Sequence, residues 1–190
     1  MFIQLINTFV VSIIYFQYCK MPDLLSDIFY FNPTSEFAIA NGSPNWQPNK
    51  LLQKMEDDMS SLPLFFGKKD DYVLVKHLPS YDFISTLNQL GVESPKFILK
   101  AEAFNNSEFV NLSKNRLLPW GWSPAIHKLF SPLKVSCSKE FKQSVVADWK
   151  PEHRELTSRK FASEILFQLL PRISSEIIIP ESHLPKICTS

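Results

Sequence analysis

A chain of 190 residues with 20 basic and 19 acidic side chains carries a formal charge of +1, so no global field draws it toward nucleic acid or an anionic membrane. At 45% hydrophobic and 21% charged it has the composition of an ordinary globular domain, long enough to bury roughly 70% of its unfolded surface. Cys19, Cys137 and Cys188 are isolated and odd in number, which argues against a disulfide framework or a zinc knuckle and fits a reducing, cytoplasmic setting.

Residues 2–18 are strongly apolar and nearly uncharged, long enough to cross most of a ~30 Å hydrocarbon layer. Gln4, Asn7, Thr8, Ser12 and Gln17 interrupt them, and neither a preceding positive charge nor a small-residue cleavage site makes them a signal peptide. Three readings of 1–20 stand: a segment upstream of a natural start at Met21, a membrane anchor, or a packed helix.

Residues 27–31 (DIFYF) read as a buried strand closed by the turn former Asn32-Pro33, and a long loop runs from there to Pro48. Leu51, Leu52, Met55 and Met59 then share one helical stripe, with Lys50, Gln53, Lys54, Glu56 and Asp57 opposite, so the apolar face is expected inward. Residues 72–75 form a second strand. Residues 81–90 are a helix with Phe83, Ile84, Leu87 and Leu90 inward and Gly91 as its left-handed stop, and 96–100 (KFILK) are a third strand. Strands alternating with helices of about ten residues predict an α/β fold, a Rossmann-like parallel sheet with flanking helices, over 21–135.

After Lys100 a polar stretch punctuated by Asn105, Asn106, Asn111 and Asn115 leads to Trp120-Gly121-Trp122. Ser123 caps a helix with Pro124 in its first turn and Ile126, Leu129 and Phe130 inward; a further helix is expected over 139–149. A long helix over 152–170 buries Phe161, Ile165, Leu166 and Leu169, and 177–179 read as a short strand. Residues 136–190 are thus mainly helical. The patternless residues 181–190 read as a cut rather than a terminus, leading toward a further C-terminal domain.

No phosphate-loop, GxGxxG, GxSxG or HExxH pattern occurs. His77, His127, His153 and His183 lack ligand spacing and read as surface or capping residues, so no metal site is expected. Glu56, Asp57 and Asp58 read as a solvated helix surface. Asn32, Glu36 and Asn41, in N-P-x-x-E-x-x-x-A-N-G, place two carboxamides and a carboxylate on the loop past the first strand, where open α/β sheets bind small molecules. The same groups also serve to pin loop backbone. Trp120 and Trp122 flank a glycine, able either to sandwich a planar ligand or to fill an aromatic core. Arg154 and Arg159 sit where a guanidinium reaches a carboxylate or phosphate, or merely solvates a helix.

The segments FNPTSEFAIANGSPNWQP (31–48), LLQKMEDDMSSLPLFF (51–66), LLPWGWSPAIHKLF (117–130) and HRELTSRKFASEIL (153–166) together resemble the amino-terminal part of uncharacterised bacterial proteins, common in the Bacteroidetes, whose carboxy-terminal part looks like an ATP-grasp ligase domain. The resemblance implies a substrate-side fragment of an ATP-dependent carboxylate–amine or carboxylate–thiol ligase, with an ATP-grasp-like domain in cis as its partner. ATP and magnesium are then implied for the full-length protein and not for these residues. Asn32, Glu36, Asn41, Trp120 and Trp122 carry the family-like motifs and are the candidate substrate-binding residues, with no catalytic residue among them. The competing expectation is a stand-alone, non-catalytic module for a small polar ligand or a partner.

Overall fold

The computed structural model describes residues 25–172. The expectations for 1–20, for a strand at 177–179 and for 181–190 lie outside the described residues. Four parallel strands form one sheet in the order β3-β2-β1-β4: β1 (Ser26–Tyr30), β2 (Tyr72–Val75), β3 (Lys96–Leu99) and β4 (Lys114–Pro119). Helices flank this sheet, and the chain has an α/β, Rossmann-like fold. The three runs read as strands from their apolar content are strands, in parallel register.

β4 replaces part of the expected polar stretch. Lys114, Asn115 and Arg116 are poor strand formers, and each is held there by a specific partner. Arg116 donates to both oxygens of Asp27 (3.1 and 2.5 Å), and Asn115 Nδ2 donates to the same carboxylate at 2.9 Å. Lys114 is fully buried; its Nζ reaches four protein oxygens at 2.5–3.1 Å.

Between β1 and β2 lie α1 (Ser35–Asn41), α2 (Lys50–Asp58) and a 3-10 turn (Leu62–Phe65); α3 (Tyr81–Gln89) joins β2 to β3. α1 corrects the expected loop. It is seven residues long and closes on Gly42, whose φ of 77° and N–H bond to Ala38 O end it in a left-handed turn. Gly91 does the same after α3 with φ 76°, as its position in the sequence implied.

α4 (Lys100–Asn105) and α5 (Ser107–Asn111) join β3 to β4, and α6 (Pro124–Lys134), α7 (Lys139–Gln143), α8 (Pro151–Leu156) and α9 (Arg159–Leu169) follow. Ser123 caps α6 by accepting from Ile126 N, with Pro124 in the first turn. The long helix expected over 152–170 is two helices, because Ser158 turns its hydroxyl onto Phe161 N and restarts the helix there. The helix expected over 139–149 stops at Gln143.

The main core lies on one face of the sheet, where Ile28, Tyr30, Leu74 and Leu117 meet Ala103, Phe109, Phe130, Leu133 and Phe141. Alternate strand residues point away from it; Val73 and Val75 on that other face are buried, as are Leu64 and Leu87 of the connecting elements. Among the described residues no helix is long and apolar enough to cross a membrane.

Three expected apolar stripes are only partly buried: over 81–90 Leu87 is buried while Phe83 and Leu90 are exposed, and Leu52 of α2 and Phe161 and Leu166 of α9 are half-buried. On α9, Ile165 and Leu169 are exposed and Ser163 is the residue buried. On α2, Leu51, Met55 and Met59 are exposed, whereas Glu56 is only 5% exposed. Glu56 and, in part, Gln53 of this helix, with Ser60 just past it, face the protein instead, and Glu56 reaches a cavity.

Candidate functional site

The sheet order places β2 and β3 on one side of β1 and β4 on the other, so the winding reverses between β1 and β4. At the carboxyl ends of those two strands the outgoing segments diverge and leave a crevice. A cavity of about 570 Å³ opens there. Tyr30 ends β1, Asn32 and Thr34 follow it, Lys100 follows β3, Ser123 follows β4, and α2 contributes Glu56.

Asn32 fixes the rim. Its Nδ2 donates to Gly121 O at 2.7 Å and its Oδ1 accepts from Gly121 N at 3.3 Å, one step beyond the Trp120 N to Tyr30 O bond of 2.8 Å. The side-chain amide thereby extends the β1–β4 ladder by one rung, past the point where Pro33 takes the chain away. Gly121 is required because a Cβ there would collide with the Ser35 side chain, itself only 7% exposed. Gly121→Ala is expected to lower the thermal midpoint by roughly 5–10 °C, from overpacking and loss of the Asn32 bonds. An unchanged melting curve would show that Ser35 has room to turn aside.

Thr34, 3% exposed, donates twice to Glu56 Oε1: from its backbone N at 3.2 Å and from Oγ1 at 2.5 Å. A buried carboxylate needs such donors, and these two explain why α2 faces inward with its polar side. Asn49 starts that helix by accepting from Leu51 N and Leu52 N at 3.1 and 3.0 Å.

Lys100 Nζ donates to Tyr30 Oη at 2.7 Å and lies 4.8 Å from the centre of the same ring. Burial pushes the Lys100 ammonium below its ordinary range, against the opposing pull of Glu56 and then Asp57. Burial, and after it the same two carboxylates, push the Tyr30 phenol well above its ordinary value, so it stays a neutral hydroxyl. Cavity and charges together suit one small ligand, with Ile126, Leu129 and Trp46 supplying apolar wall.

Of the five candidate binding residues, the cavity receives Asn32. Glu36 belongs to α1 and points elsewhere, 3.7 Å from Arg159 NH2 beside a second cavity that Arg154 also lines. Asn41 is exposed and accepts from Ser43 N at 3.2 Å, holding the turn after α1. The expectation that Asn32, Glu36 and Asn41 share one loop is therefore corrected: Asn32 lies in the turn after β1, and Glu36 and Asn41 belong to α1. Trp120 stands 59% exposed with its ring edge-on to Phe31, 5.3 Å between centres. Trp122 packs into the aromatic core, 4.5 Å from His127 and 6.0 Å from Phe130.

Sequence reasoning missed Tyr30, Glu56 and Lys100. Tyr30 and Lys100 had a usable signal, since each ends or directly follows a strand, at the edge where such sheets bind. Glu56 had none: helical periodicity put it on the solvent face. His127, expected at the surface, is 8% exposed and packed beneath Trp122.

No family model matches the chain, and no curated protein or solved structure matches it.

Proposed function

We propose that this domain holds a small polar ligand in the cavity at the β1–β4 switch point, as the substrate-side domain of an ATP-grasp-like ligase. One observation carries the reading: a buried carboxylate, Glu56, and a half-buried ammonium, Lys100, line the same crevice at the carboxyl edge of a parallel sheet. The four motif segments support the ligase context.

The residues of this cavity do not suit magnesium triphosphate. Glu56 is the one carboxylate lining it, the Asn32 amide is spent on Gly121, and the first strand is followed by Asn-Pro-Thr rather than a glycine cradle. Among the described residues no three His, Cys, Asp or Glu side chains cluster as a metal site. No step through ATP is derived from these residues.

The test is a thermal-shift screen of small carboxylates, amines and amino acids, with magnesium ATP as comparison. Binding to the folded state raises the midpoint by mass action. At least one small molecule is expected to do so, and to lose the effect in Lys100→Met, while magnesium ATP alone leaves the midpoint unchanged. No response to any compound, or an equal response in Lys100→Met, overturns the site; a shift with magnesium ATP overturns its assignment to the substrate side.

A further inference from the structure

We propose that the ligand is a small zwitterion on an apolar body, its ammonium held by Glu56 and its carboxylate by Lys100. This rests on the reading of the cavity as a ligand site and adds the ligand's charge pattern.

Both Thr34 donors go to Glu56 Oε1, while Oε2 has no protein donor among the described residues and is not sealed from solvent. Lys100 uses one of its three N–H donors, on Tyr30 Oη, and the others have no protein acceptor among the described residues. Each side chain is thus half satisfied. They have not satisfied each other: no Glu56–Lys100 ion pair within 4.0 Å forms, although each lines the same cavity and the Glu56 charge acts on Lys100. A buried carboxylate and a half-buried ammonium held apart at one crevice both gain from a partner. A molecule of the opposite polarity closes both.

The neighbouring groups fix which end goes where. Tyr30, a neutral hydroxyl already bonded to Lys100, adds a donor beside the cation and favours a carboxylate there. Lys128, exposed at the cavity's edge, donates to Asn45 Oδ1 at 2.6 Å and is hydrated, so Lys100 is the less exposed cation of the lining. Trp46, Ile126, Leu129 and Pro132 give the wall an apolar stretch beside neutral groups such as Gln47, Gln53 and Ser123, which suits an apolar body carrying the two charges.

Calorimetric titration of the full chain with leucine, methionine and phenylalanine tests the inference against matched half-ligands: the acids lacking the amine (isocaproate for leucine) and the amines lacking the acid (isoamylamine). At least one amino acid is expected to bind about tenfold or more tighter than either of its halves, since each half leaves one buried charge open. Glu56→Gln, which keeps an acceptor for Thr34, is expected to bring that amino acid down to the affinity of its des-amino acid. The wild-type comparison stands without the variant should Glu56→Gln fold poorly. A half-ligand that binds as tightly as its parent overturns the zwitterion while leaving a small-ligand site intact. If no amino acid binds, the zwitterion falls; a carboxylate or amine responding in the thermal screen then keeps the site, and silence there removes both.

Discussion

Lys114→Met is expected to cost about 3–5 kcal/mol of folding free energy, a large part of the 5–15 kcal/mol typical of a domain. Lys114 has no solvent exposure, and its Nζ donates to Phe109 O, Val110 O, Leu112 O and Ser136 Oγ. Three of these are carbonyls at the end of α5, where a helix leaves its last C=O groups without intrahelical partners. The ammonium therefore closes a helix that has turned straight into a strand, with no room for water. Burial pushes its pKa down to about 8, which still leaves it protonated at neutral pH. Methionine fills the space but orphans every acceptor. Urea unfolding of the two proteins measures the loss, and a difference below about 1 kcal/mol would mean that the carbonyls find other donors.

Acid should destabilise the protein ahead of general carboxylate titration, through His127. This ring is 8% exposed, lies 4.5 Å from Trp122, and receives a hydrogen bond on Nδ1 from Lys134 Nζ at 2.8 Å. Its Nε2 is buried without a partner. Burial, followed by the Lys134 charge, pushes its pKa from 6.5 down to about 4, with Asp148 opposing and His153 reinforcing. The unfolded chain then binds the proton more readily than the folded one. Stability is present above pH 6.5 and is lost as the pH falls toward about 4, by about 3 kcal/mol in all. Urea midpoints followed from about pH 7 to pH 4 should fall through this window, and His127→Gln should flatten that limb. An unaltered acid limb in the variant would place the loss on other groups.

The legible parts of the fold were those in which composition and structure agree. FYF, YVLV and FIL are apolar runs with no other place to go than a sheet. β4 was hidden because three of its six residues are polar, and it is a strand by virtue of Asp27 and the end of α5, contacts 88 residues away or in another element. α1 was hidden because a seven-residue helix has too few turns to show a period, while Asn32-Pro33 before it and Gly42 after it both signal a loop. The site was legible by position and illegible by residue. The end of the first strand marked the crevice in which the cavity lies, yet the loop side chains nearest it hold backbone or face elsewhere. Glu56 came from a helix whose pattern points the other way, the kind of local disagreement that functional sites produce.

That reversed helix has an energetic corollary. With Leu51, Met55 and Met59 turned to solvent and Leu52 half-buried, α2 buries less apolar surface than most surface helices and is tied to the segment after β1 by the Glu56 carboxylate gripped by Thr34. Lifting it away therefore costs less than opening the sheet beneath it. On the proposal that a ligand's ammonium binds Glu56, occupancy would raise that cost and hold this wall in place.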